Sequence, residues 1–218
     1  MALLELSNIS YAVKDKTIIR NVSLAINEGD YLTIVGPSGS GKSTLLKLCS
    51  DLISPTSGHI TYNGQNLITI DPESYRKDVG YCFQRPYLFA KTVRRNILFP
   101  YDIRGMKPDM ERIKTLFDLL HMPMEYLERR NDELSGGEMQ RICLIRSLIF
   151  EPKVLLLDEV TSALDSVNST IVEQVIGELH KNGMTIVSIT HNEEQSLRLA
   201  NRRITVIDGS IAKEEVLR

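Results

Sequence analysis

The stretch GPSGSGKST, Gly36–Thr44, sets glycines around a lysine and a hydroxyl at fixed spacing. It follows the apolar run YLTIVG, Tyr31–Gly36, and runs into KSTLLKLCS, whose pattern reads as a helix. Strand, glycine-rich turn, Gly-Lys-Ser and helix together fit G-x-x-x-x-G-K-[ST] in the context that gives the motif its meaning. Gly36, Pro37, Ser38, Gly39, Ser40, Gly41 and Thr44 are the backbone that wraps a chain of phosphates. Lys42 neutralises the outer phosphates, Ser43 offers an oxygen to Mg²⁺, and the helix N-terminus adds its partial positive charge. An ordinary glycine-rich turn would not need the lysine, the serine and the helix in that order.

A phosphate loop that does chemistry also needs an acid at the end of a buried strand. VLLLDE supplies it: Val154–Leu157 are apolar, and Asp158 and Glu159 follow at the strand's carboxyl end. In an open α/β sheet that edge is where ligands bind. Asp158 is read as the Mg²⁺ holder and Glu159 as the residue that polarises an attacking water.

A second anion grip stands far downstream, in ELSGGEMQ, Glu133–Gln140. Ser135 and Glu138 have the S-x-x-E spacing of a capping box, and capping alone accounts for both. It does not account for Gly136 and Gly137, each of which weakens a helical turn by about 1 kcal/mol relative to alanine. The pair is read as a place where a ligand, with a terminal phosphate as the candidate, approaches the backbone closely.

The elements that must position these residues alternate. LLELSNISYAV, IIRNVSLAI and YLTIVG read as strands at the N-terminus. GHITYNGQNLITI reads as short strands about an Asn63–Gly64 hairpin, and DVGYCFQ as a strand ending at Gln84. MERIKTLFDLLHM places Met110, Ile113, Leu116, Phe117 and Leu120 on one helical face, and GEMQRICLIRSLIF does the same with Ile142, Ile145, Leu148 and Ile149. Beyond Pro152, the runs KVLLLD, MTIVSIT and RRITVI are strands, with a helix over roughly Asn168–Lys181 between the first two. Apolar strands alternating with helices imply a buried, mainly parallel sheet. The expected architecture is one α/β unit: a core over 1–84 and 151–218, an antiparallel β portion at the N-terminus, and a helical subdomain inserted over about 85–150.

Composition narrows the class. Among 218 residues, net charge is −2, with 42% hydrophobic and 25% charged residues, so no basic field invites nucleic acid. Cys49, Cys82 and Cys143 show neither paired nor metal-ligand spacing and read as reduced, buried thiols of a cytoplasmic protein. The start MALLELSNIS has no signal-peptide pattern, and no apolar run reaches the length of a membrane span. A membrane role is therefore expected to come through a partner.

Together, GPSGSGKST, LSGGEMQ and LLLDEVTSALD resemble the ATP-binding cassette ATPases over essentially the whole chain, with the P-loop NTPase (RecA-like) core that the family has. The resemblance implies a head-to-tail homodimer in which each ATP lies between one chain's phosphate loop and the other chain's Ser135–Gly137. It further implies that Tyr11, in the loop after the first strand, stacks on adenine. Gln84 would reach Mg²⁺ and the attacking water, Ser162–Asp165 would cross to the other subunit's site, and His191 would contact the γ-phosphate. Asn192, where the family often has an acid, and Met139, where it often has a basic or polar residue, are minor departures.

The function so implied is ATP hydrolysis that powers a separate transmembrane permease, with the chain peripheral on the cytoplasmic face of the membrane. A soluble cassette of the iron–sulfur-assembly type is the alternative. The apolar stretch after Gln84 favours the transporter reading, since Pro86, Tyr87, Leu88, Phe89, Val93, Ile97, Leu98 and Phe99 exceed what a solvated loop needs. Some of these must pack internally, and the remainder could line a groove for a partner's helix. Within the family, the chain looks most like single-cassette subunits of the iron-export and aluminium-tolerance type.

Overall fold

The computed structural model describes residues 2–162, 164–190 and 193–217. Strands β1 (Ala2–Val13) and β2 (Lys16–Asn27) form a long antiparallel hairpin, and β3 (Tyr31–Val35) leads through the glycine-rich loop into α1 (Lys42–Cys49). Next come β4 (Ser57–Tyr62) and β5 (Gln65–Asn66), joined where Asn63 and Gly64 both take positive φ, the tight hairpin turn that an Asn-Gly pair adopts readily. After α2 (Pro72–Asp78), which Asp71 caps from its side chain, β6 (Val79–Cys82) enters the second sheet. Three helices follow: α3 (Val93–Asp102), α4 (Met110–Leu119) and α5 (Gly136–Leu148). The chain then returns as β7 (Val154–Asp158), α6 (Ser166–Lys181), β8 (Thr185–Ile189), α7 (Glu193–Leu199), β9 (Arg202–Ile207) and β10 (Ser210–Val216).

These strands make two sheets. One is antiparallel, in the order β2-β1-β4-β5; the other runs β10-β9-β3-β8-β7-β6, parallel throughout except for the edge hairpin β9–β10. Every residue of β7 and β8 is buried, as expected of parallel strands covered on both faces. One apolar cluster joins the antiparallel sheet, α1 and part of the parallel sheet; another joins Leu155, Leu157 and Ile186 to the inward faces of α3 to α6. Full burial of each Leu or Ile contributes roughly 1.5–3 kcal/mol.

The α/β architecture, the antiparallel N-terminal sheet and the helical insertion match the expectation. Some local readings shift. β6 ends at Cys82, its last pairing being with Leu157, so Gln84 stands in the loop beyond the strand. Tyr11 lies inside β1, paired with Ile19, because the hairpin continues to Val13. Helix α6 starts at Ser166, capped by Asp165, ahead of the first apolar periodic residue. Met110, in the first turn of α4, is exposed, while Ile113, Leu116, Phe117 and Leu120 are buried. Strand β10 escaped the pattern because Lys213–Glu215 looks solvated; those charges pair with Arg202 and Arg203 of β9 and with one another.

Candidate active site

Three elements deliver their carboxyl ends to one edge of the parallel sheet: β3, β6 and β7. The loop after β3 is shaped by close approach. Gly41 has φ +103°, and a Cβ there would stand 2.8 Å from Ile19 Cδ1. Because Ile19 pairs with Tyr11, that contact places the tyrosine's strand beside the loop. Tyr11 is half-buried and packs on the core cluster.

Lys42 is buried and folds back over its own loop, its Nζ donating to the Gly36 and Pro37 carbonyls at 2.9 Å each. Burial lowers its pKa, against the opposing pull of Glu159 and Asp158. Pro37, Ser38 and Gly39 are exposed, while Gly36, Ser43 and Thr44 are half-buried. Ser40 Oγ is buried with no hydrogen-bond partner among the described residues.

Ser43 Oγ donates to Asp158 Oδ1 at 2.8 Å, across a separation of 115 residues in sequence. Asp158 itself is only 4% exposed. Glu159, immediately after the strand, adopts φ +50°, a left-handed conformation that costs a non-glycine residue about 1–2 kcal/mol. Strain of that kind concentrates where a side chain must be aimed. Gln84 Nε2 donates to Glu159 Oε2 at 2.6 Å, and Ser162 donates from both its N–H and its hydroxyl to the Glu159 carbonyl.

The donors that converge here, Ser43, Asp158 and the Gln84 amide, supply oxygen ligands, which suit a small hard cation such as Mg²⁺. Among the described residues no group of three or more His, Cys, Asp and Glu could hold a metal ion.

The helix α5 begins as the spacing implies. Ser135 Oγ accepts from the Glu138 N–H at 3.3 Å, and Glu138 Oε2 accepts from the Ser135 N–H at 2.7 Å. The two glycines divide. A Cβ on Gly137 would come within 2.7 Å of the Asn168 side chain, so that glycine has a close neighbour inside its own chain. Gly136 is different: a Cβ there would meet nothing within 4 Å. Ser135 and Gly136 are exposed, and among the described residues no hydrogen bond joins them to the phosphate loop.

Asp165 caps α6, accepting from the Asn168 N–H at 2.9 Å and from Asn168 Nδ2 at 2.7 Å. Those bonds hold its carboxyl below the usual carboxylate range. Asn168 thus links the Ser162–Asp165 turn to the Gly136–Gly137 turn of the same chain. Nothing in the sequence singled it out, nor Tyr81, whose hydroxyl donates to Asp158 Oδ2 at 2.8 Å. His191 lies outside the described residues.

A groove of about 420 Å³ opens behind this edge, lined by Tyr81, Phe83, Tyr87, Phe89, Phe99 and Ile103, with Arg76, Arg104 and Arg146 beside them. Of the apolar stretch after Gln84, Val93 and Ile97 are buried, and Leu88 and Leu98 pack against the helical core. Leu88 is therefore a packing residue, whereas Phe89 and Phe99, in edge-to-face contact at 4.3 Å, face the groove.

Comparison with known proteins gives a consistent picture. A family model described as ABC transporter matches residues 19–162. The probable iron export ATP-binding protein FetA of Escherichia coli is 42% identical over 205 residues, covering 94% of this chain and 91% of that protein. The choline transport ATP-binding protein OpuBA of Bacillus subtilis is 36% identical; 97% of this chain spans 57% of its length. An ATP-binding cassette solved as a dimer in a post-hydrolysis state, bound to ADP and phosphate, superposes with a TM-score of 0.89 at 30% identity, covering 99% of each chain.

Proposed function

The chain belongs to the ABC transporter family, and from that premise we propose that it hydrolyses Mg²⁺-ATP at two sites shared between head-to-tail copies, driving a separate membrane permease. Residues 1–84 and 151–218 form the nucleotide-binding core, and about 85–150 the helical part that carries Ser135–Gly137 and the groove.

The observation that carries the shared site is Gly136. Its open side, beside an exposed Ser135 at the N-terminus of α5, is a phosphate grip that no described residue of the same chain covers. A two-fold pair brings the second copy's phosphate loop to it. In that pair Gly36–Thr44 wraps the phosphates, and Tyr11 lies beside the base. Ser43, Asp158 and Gln84 would hold Mg²⁺, which when bound would neutralise charge on the phosphoryl oxygens. Glu159 accepts the proton of the attacking water, Gln84 orients that water, and His191 is assigned to the γ-phosphate. Asp165 approaches the partner's nucleotide.

The aromatic groove receives a short helix of the permease, whose acidic residues would meet Arg76, Arg104 and Arg146. No helix among the described residues is long and apolar enough to cross a membrane, so this groove is the proposed attachment to the cytoplasmic face. The resemblance to a probable iron export ATP-binding protein supports a metal ion as the cargo.

The test is co-expression with the membrane protein encoded beside it. The chain alone should remain in the supernatant and hydrolyse ATP in a Mg²⁺-dependent manner; with its partner it should sediment with membranes. A chain that stays in the supernatant in both cases would overturn the membrane assignment without touching the ATPase assignment.

A further inference from the structure

The edge of β6 grips both acids at the end of β7. Gln84, just beyond the strand, holds Glu159; Tyr81, inside it, holds Asp158. We propose that Tyr81 is a positioning residue for the metal-holding carboxylate, its hydroxyl fixing Asp158 so that Oδ1 stays turned toward Ser43 and the cation of a bound Mg²⁺-ATP. This inference rests on the reading of Asp158 as a metal holder.

Among the described residues, the two carboxylate oxygens each have one donor. Ser43 Oγ reaches Oδ1 and the Tyr81 hydroxyl reaches Oδ2, both at 2.8 Å. A serine that donates its proton to Asp158 keeps its lone pairs for a cation, so that bond is compatible with a bound metal. The Tyr81 bond acts on the other oxygen and opposes rotation of the carboxylate about its terminal torsion, which is intrinsically soft. With Asp158 nearly sealed from solvent, water is a poor substitute for the phenol.

The donor is itself held. The Tyr81 ring meets Phe83 edge-to-face, centroids 4.7 Å apart, on the wall of the aromatic groove. Orientation matters because Mg²⁺ demands near-octahedral ligand geometry, whereas Ca²⁺ tolerates irregular sets. Loss of an outer hydrogen bond to a metal ligand typically lowers metal affinity by about 10–100-fold.

Tyr81→Phe keeps the ring and the Phe83 contact and removes only the hydroxyl. In the full chain carrying Glu159→Gln, the affinity of a fluorescent ATP analogue is measured against free Mg²⁺, against free Ca²⁺, and in EDTA. The expected result for Tyr81→Phe is a rise of ~10-fold or more in the Mg²⁺ concentration at half-effect. Binding in EDTA and the Ca²⁺ dependence should stay as in the parent. An unchanged Mg²⁺ dependence in Tyr81→Phe, beside a shifted one in Asp158→Asn, overturns the role of Tyr81. A loss of binding in EDTA as well makes Tyr81 a packing residue and also overturns it. If Asp158→Asn itself leaves the Mg²⁺ dependence unchanged, the assignment of Asp158 fails instead.

Discussion

Gln84 Nε2 and Glu159 Oε2 stand 2.6 Å apart, so the acid proposed to activate water is tethered to the loop that leaves the neighbouring strand. That loop also borders the aromatic groove through Phe83, and Gln140 of α5 donates to the Phe83 carbonyl at 3.4 Å. The loop that carries Gln84 thus touches Glu159, the groove and α5.

The acid itself gives the first prediction. Glu159→Gln keeps the size of the side chain and can still meet the Gln84 amide, but it cannot accept a proton from water. Nucleotide binding should be retained while turnover falls by about 10²–10⁴-fold, the range for a positioned acid–base group. Phosphate release and nucleotide binding, measured on the same preparation, check this. Hydrolysis near the parent rate would move the role elsewhere, with His191 the next candidate.

The groove gives the second. Phe89→Asp places a charge on an exposed ring that lines the groove and should abolish transport while ATP binding persists. Leu88→Asp, one residue earlier, buries a charge against the helical core and should lower stability by about 1–3 kcal/mol. Denaturant melts and transport assays on the two variants separate these effects. Equal loss of stability in both would assign Phe89 to the core as well.

Much of this site was legible in the sequence because it depends on local order. A strand, a glycine-rich turn and a lysine at the head of a helix fix Lys42 and Ser43 wherever the rest of the chain goes. The acids at the end of β7 were legible because an all-apolar run in an α/β chain must be an interior strand. Tyr81 and Asn168 were not. Each acts on a residue distant in sequence, Asp158 and Gly137, through a register that no local pattern carries. Gly137 was read as a ligand contact; the structure adds an internal neighbour, Asn168, invisible in the sequence because a missing Cβ looks the same whichever neighbour lies close.

The capping box of α5 gives a prediction in pH. Burial raises the Glu138 carboxyl, but hydrogen bonds from Tyr126 and Ser135 outweigh it and hold the group below its ordinary 4.5. A depressed carboxylate stabilises the fold fully above 4.5, and that contribution is lost as pH falls through the folded value. Glu138→Gln should therefore be less stable than the parent at pH ~7, and the difference should shrink steadily as the pH is taken well below the ordinary carboxylate value. Equilibrium unfolding of both proteins across that range measures it; a difference independent of pH would refute it.

The native thiols give another. Burial pushes Cys49 and Cys82 each up to about 12 and raises Cys143 as well. At pH ~8 a thiol with such a value is thiolate in roughly one part in 10⁴, and the thiolate is the reacting form. Iodoacetamide should leave the folded protein unlabelled and modify all three cysteines in denaturant, as read by mass spectrometry. Rapid labelling of the folded chain would contradict the burial.

The shared site is tested most directly by cross-linking between two preparations. Cys49, Cys82 and Cys143 are replaced, Glu159→Gln retains ATP, and one preparation carries Ser38→Cys and the other Ser135→Cys. Both positions are exposed in the single chain. Mixed with ATP and Mg²⁺, the two should be joined by a short bifunctional thiol reagent into one dimer. Neither preparation alone should link efficiently, and removing ATP should abolish the product. A chain carrying both substitutions that links only within itself, and stays monomeric with ATP, would contradict the trans site.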